Sequence, residues 1–295
     1  MTTYRIEHHS THRGHVDRGT TYLRALLTPR DGGGQRLHET ELQVFPEPAE
    51  TSIYRDFDGN RITHIDVPAP YEQLELRARS TVTVTRRAVD PEHLPVLAWE
   101  QVVAAVRQIR ATGRGEHGEG MAAVIAIVEG AQPSALAPAP TEDALRLVPP
   151  GTPLVALLAG LAEQMSTAIR RSPTSVGVDR ALRDGVGSIQ DLAHLMCSLA
   201  RGVGLSARYV AGYRYQPGVD GAHAWVAVWL PGGGWLHVDP ATGRFVDDRY
   251  VVLGWGRDAL DVSPIRGVRL SPGGKVARTD RVTLTPVGAP SGGAG

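Results

Sequence analysis

The stretch Gly185-Val186-Gly187-Ser188-Ile189-Gln190-Asp191-Leu192-Ala193-His194 decides the fold, read with Ala222-His223-Ala224-Trp225 and Gly234-Trp235-Leu236-His237-Val238-Asp239-Pro240 downstream of it. Ser188 is a favoured helix N-cap, and Asp191 stands at the capping-box position after it, with the shorter acid in place of glutamate. The spacing predicts a helix over 189–201, stopped by Gly202 and Gly204. Three strands follow, at 207–215, 223–230 and 235–239, and Pro231-Gly232-Gly233-Gly234 turns the last two into a hairpin. This order puts a helix start, an imidazole that opens one strand and a carboxylate that closes the next within one segment.

Upstream, residues 91–174 have helical spacing, broken by a Pro/Ala-rich run at 132–140 and by Val148-Pro149-Pro150. Leu154, Leu157, Leu158, Leu161, Met165 and Ile169 recur every third or fourth residue, the period of an amphipathic helix. The first ninety residues read as β structure instead. Segments 41–45, 61–67 and 74–87 alternate apolar and polar residues, and Asp58-Gly59-Asn60 is a strong hairpin signal because each of its residues tolerates positive φ. Beyond Arg257 the short segments 268–270 and 276–287 are β-like, and the tail Ala289 to Gly295 reads as small and flexible. The fold class is therefore α+β. An antiparallel β domain over 1–90 precedes an α+β core over 95–270, with 271–295 as a last strand and tail.

Composition narrows the function. The chain has 295 residues, 42% hydrophobic and 21% charged, which is ordinary globular usage. Its 31 Lys+Arg balance 31 Asp+Glu, so nucleic acid is not expected as a partner. Apolar runs such as 121–128 and 153–162 fall far short of a bilayer span, and Met1 to Gly14 has no apolar signal region, so a cytoplasmic protein without a membrane partner is expected. The single Cys197 excludes intrachain disulfides and cysteine-rich zinc modules. His8, His9, His12 and His15 lack the acid or cysteine spacing of a metal site and are expected on an exposed strand and loop. No cofactor is expected, and the oligomeric state is unspecified.

The quoted segments, with Ala207 to Tyr213 between them, resemble the catalytic core of the transglutaminase-like superfamily within the papain-like fold. Tyr4-Arg5-Ile6-Glu7-His8, Gln35-Arg36 and Asp56-Phe57-Asp58-Gly59-Asn60 resemble the β domain that precedes this core in bacterial members, and 254–264 resembles the run after the Asp strand. The resemblance implies a cysteine nucleophile at the helix start, acidified by the dipole and the unpaired N–H groups. It implies His223 as base and Asp239 as its orienter. Helix-start N–H groups would cradle the oxyanion. At the nucleophile position, immediately before Gln190-Asp191, this chain has Ile189. Isoleucine has no lone pair to attack with. Cys197 lies about 12 Å further along the same helix and about 80° around it, out of reach of His223. Ser188 is assigned to the cap.

Two functions follow from that departure. The first is a pseudoenzyme whose cleft binds a peptide or protein partner through Gln190, Ser188 and Trp225. The alternative is an enzyme of amidase, peptidase or acyltransferase type that uses His223 and Asp239 without a cysteine. Trp225 and Trp229 alternate with His223 and either line the cleft or pack beneath it; His194 and His237 read as structural.

Overall fold

Period-two burial builds the N-terminal part of this computed structural model, which describes residues 1–90, 93–115, 119–219, 221–268 and 277–287. The expected flexible tail 289–295 lies outside the described residues. Strands β1 (Thr2–Val16), β2 (Thr20–Ala25), β3 (Gln35–Phe45), β4 (Glu50–Arg55), β5 (Arg61–Pro68) and β6 (Tyr71–Val84) form the body of two antiparallel sheets. Leu23, Ile65 and Val67 of one sheet share a core with Leu74, Leu76 and Ala78 of the other, so the two make a sandwich. The β4–β5 hairpin closes at the expected turn, where Gly59 at φ 73° donates its N–H to the Asp56 carbonyl at 2.9 Å.

Helices α1 (Trp99–Thr112), α2 (Met121–Gly130), α3 (Glu142–Leu145) and α4 (Leu154–Ala168) come next. The predicted stripe of α4 is buried from Leu154 to Met165. A short parallel pair, β7 (Arg170–Arg171) and β8 (Val186–Gly187), brackets α5 (Val178–Asp184) and leads into α6 (Ile189–Gly202). Every residue of α6 from Asp191 to Arg201 is buried, as expected of a helix at the centre of a core.

The sheet beside α6 has the order β12-β11-β10-β9-β13, built from β9 (Ala207–Arg214), β10 (Ala222–Leu230), β11 (Gly234–Asp239), β12 (Arg244–Phe245) and β13 (Tyr250–Gly256). All its pairings are antiparallel. Ala224, Val226, Val228, Leu236 and Val238 join the main core with Leu192, Leu195 and Met196 of α6. A separate cluster of Val210, Trp225, Ala227, Val246, Tyr250 and Val252 fills the other face.

The sandwich docks on the β13 edge through two buried side-chain amides. Gln35 donates to the Val252 carbonyl at 2.8 Å and accepts from the Val252 N–H at 2.8 Å. Asn60 does the same to Trp255, at 2.9 and 3.0 Å. A Cβ at Gly254 would lie 2.6 Å from the Asn60 amide oxygen, so the bare backbone there admits the contact. The division at residues 90 and 270 leaves out two pairings. β14 (Ile265–Val268) pairs with β2 and β15 (Ala277–Val287) pairs with β1, so the end of the chain completes both sheets of the N-terminal sandwich.

One of the N-terminal histidines departs from expectation, while His15 is exposed as expected. All four lie on β1, and His8 is buried, its Nδ1 2.7 Å from the Tyr213 hydroxyl and its Nε2 3.6 Å from Asp280. Exposure fails for His8 because it shares the inward face of β1 with Tyr4, Ile6 and Ser10, against Tyr213 of the central sheet. Among the described residues no group of three or more His, Cys, Asp or Glu is placed to hold a metal, and no helix is long and apolar enough to cross a membrane.

Candidate active site

Ser188 caps α6 as its sequence requires: its hydroxyl accepts the Asp191 N–H at 3.1 Å, and the Asp191 carboxylate accepts the Ser188 N–H at 2.8 Å. The same carboxylate accepts from the Ser175 hydroxyl and from the Val176 and Gly177 N–H groups, tying the preceding loop to the helix start. Burial pushes the Asp191 carboxyl up, but these hydrogen bonds outweigh it and hold the pKa below the usual carboxylate value. In the first turn, the Ile189 and Gln190 N–H groups have no partner within the helix.

His223 and Asp239 meet at one end of the central sheet. Asp239 is wholly buried, and its Oδ2 accepts from His223 Nε2, the Thr242 hydroxyl and the Tyr250 hydroxyl, each at 2.8 Å. Its Oδ1 accepts the Ala241 N–H at 2.8 Å, an Asx turn following the strand. Burial raises the Asp239 pKa, yet the hydrogen bond and charge of His223, with Tyr250 and Thr242, bring it below the ordinary value. An ionised carboxylate only accepts, so Nε2 of His223 carries the hydrogen and a neutral ring keeps its lone pair on Nδ1.

A cavity of about 210 Å³ lies at the start of α6 and has Ile189, Gln190, Tyr209, His223 and Ser263 in its lining. Ile189 is half-buried there. Ser263 is the hydroxyl that sequence reasoning missed; it donates to the Ile265 carbonyl at 3.2 Å, and its position beside the cleft comes from the chain returning after β13. Ser188 is not on the cavity wall, since its hydroxyl is used by the cap. Cys197 is fully buried away from the cavity, and burial pushes its thiol up to about 11.

Trp225 requires a correction as a cleft-lining residue. Its indole is wholly buried on the sheet face opposite α6, its N–H donated to His237 Nδ1 at 2.9 Å and its ring 5.4 Å from that of Tyr250. Alternation put it on the His223 side correctly, but only the strand end reaches the cleft; one step inward that face is core. Gly212, paired across from His223, makes room, because a Cβ there would strike the Trp225 ring. Trp229 is buried in the main core. His194, also buried, stacks on Tyr209 at 4.7 Å and accepts the Ala259 N–H at 3.2 Å. Tyr250 and Thr242, the other anchors of Asp239, were also missed. Thr242 follows the Asp-Pro turn and could have been suspected from that turn alone; Tyr250 required the pairing of β13.

The transglutaminase-like superfamily profile matches residues 149–240, and the profile of the bacterial transglutaminase-like N-terminal region matches residues 4–83. An uncharacterized protein of Mycobacterium tuberculosis is 32% identical over 287 residues, covering 90% of this chain and 87% of its own length. One from Mycobacterium leprae is 27% identical over 263 residues, covering 84% and 86%. Among solved structures, a proposed cysteine protease from Cytophaga hutchinsonii aligns with a TM-score of 0.74 at 16% identity, covering 98% of this chain and 91% of that one, a likeness of fold. With both family regions in order and relatives matched along most of its length, this chain belongs to the bacterial transglutaminase-like family.

Proposed function

We propose that this protein does not carry out acyl transfer through a cysteine and that its cleft binds a peptide or protein partner. The observation that carries this reading is Ile189 on the cavity wall beside His223, with the chain's single thiol buried in the core. The unpaired N–H groups of the first helical turn do not depend on the side chain at 189, so a carbonyl can still be held there. No cofactor, nucleic acid or membrane enters the reading, and the cytoplasm is its place of action. The purified protein should neither incorporate amines into glutamine-containing substrates nor cleave peptides through a thiol. A turnover that disappears in Cys197→Ser or after alkylation would overturn this. A capped Gln-Gly dipeptide should bind in calorimetric titration, and Ile189→Trp, which fills the cavity, should abolish that binding; unchanged affinity would place the contact elsewhere.

The intact His223–Asp239 pair favours a second reading, an amidase, peptidase or acyltransferase acting by general acid–base catalysis without a covalent intermediate. Turnover that survives Cys197→Ser and is lost in His223→Ala would select it.

A further inference from the structure

The sheet face opposite α6 bears a second cavity, of about 350 Å³, between the central sheet and the loops of the sandwich. Its size is within the range of about 300–1,000 Å³ common for small-molecule sites. Arg30, Arg86 and Arg208 reach it from three different parts of the chain, and Trp235, Trp255 and His237 complete its functional wall. Arg30 and Arg86 spend hydrogen bonds on the protein: Arg30 on the Asp58 carbonyl and Asn60, Arg86 on the Tyr250 and Gly33 carbonyls. Arg208 is different. Its guanidinium lies 3.7 Å from the centre of the Trp235 ring and 5.1 Å from that of Trp255, and it has neither a hydrogen-bond acceptor nor an ion pair among the described residues. His237 accepts the Trp225 indole N–H on Nδ1, so its neutral ring offers a further donor at Nε2.

We propose that this cavity binds a small organic anion, a carboxylate or phosphate ester with a flat apolar body. The anionic group would take the unused donors of Arg208, with His237 beside it, and the flat body would lie against the indoles that already stack on Arg208 and Arg30. No carboxylate lines the cavity. The acids whose charges act on these arginines stand outside the cavity lining: Asp58 acts on Arg30 and Arg208, Asp56 on Arg30 and Asp247 on Arg86, and of these Asp56 and Asp247 are already paired with Arg24 and Arg249. Burial lowers Arg30 and Arg208 to about 10 each, outweighing the opposing charges of Asp56 and Asp58 on Arg30 and of Asp58 on Arg208. The site is separate from the His223 cleft: Trp225 and the sheet lie between them.

The test is calorimetric titration of the whole protein with benzoate, phenyl phosphate and, as the neutral counterpart, benzamide. At least one anion should bind saturably, with benzamide at least tenfold weaker, and the stronger anion identifies the headgroup. Arg208→Gln should weaken that anion at least tenfold, while His223→Ala leaves it unchanged. In the unsubstituted protein, nitrogen–proton correlation spectra should show the Trp235 and Trp255 indole signals moving with the anion and that of Trp99 staying still. This readout does not depend on the variant folding. Absence of saturable binding by both anions, equal binding of benzamide, or shifts confined to indoles outside the cavity would each overturn the proposal.

Discussion

Position 189 tests whether the imidazole and the helix start still form a working pair. Ile189→Cys would place a thiol in the first turn of α6 on the cavity wall shared with His223, where dipole and imidazole both favour thiolate. Its alkylation profile should give an apparent pKa well below the ~8.5 of a free thiol, and His223→Ala should raise it. A value near the free thiol, indifferent to His223, would mean that 189 serves packing alone. Asp239 is the other telling residue. Asp239→Asn exchanges a four-way acceptor for a group that must also donate, stranding buried donors of His223, Tyr250 and Thr242. We expect a loss on the order of 3 kcal/mol in urea unfolding, with no change in the dependence of stability on urea if only the native state is affected.

Among the elements, α6 and the strand face behind it make stability sensitive to acid. Burial lowers His194 from 6.5 to about 4, and burial with the Arg86 and Arg208 charges lowers His237 to about 3. Both rings stay neutral in the fold while the unfolded chain takes up protons below 6.5. Stability should therefore fall as pH drops from 6.5 to about 4, by on the order of 3 kcal/mol for His194, with His237 continuing the loss towards 3. His194→Gln keeps an acceptor for the Ala259 N–H and removes the titration, so it should flatten the upper part of this slope in denaturant melts at stepped pH. An unchanged slope would show that other groups carry the acid response. These elements also show what sequence can reveal. Helix α6 was legible because cap, acid and stop signal are all local, and α4 because its leucines keep one period. Strand β4 was not singled out, since all its residues are exposed and it has no apolar alternation. The depth of Trp225 and the place of Ser263 depend on which strand lies beside which, and no single window of sequence contains that.

On the scale of the whole molecule, the sandwich is held to the core by polar groups as well as packing. Gln35→Ala would strand the Val252 N–H in a buried setting, its carbonyl keeping the Arg30 N–H at 3.0 Å, and Asn60→Ala would strand both the N–H and the C=O of Trp255. Each should lower stability by about 1–3 kcal/mol and speed hydrogen exchange at the amides of β13 before those of β9 and β10. Uniform acceleration across the sheet would argue that the amides act on global stability only. The family resemblance marked Gln35 and the Asp56–Asn60 turn as notable, but only the assembled molecule shows them as the clasp on β13. The closing strands have a consequence for biosynthesis. Because β1 takes as its neighbour β15, which is made only after the whole core that lies between them in sequence, the nascent sandwich waits through synthesis of that core with one edge open. A ribosome that stalls after the core has emerged would release a chain whose first sheet is unfinished, and that open edge is where a cell's holding chaperones, or other stalled copies, would attach.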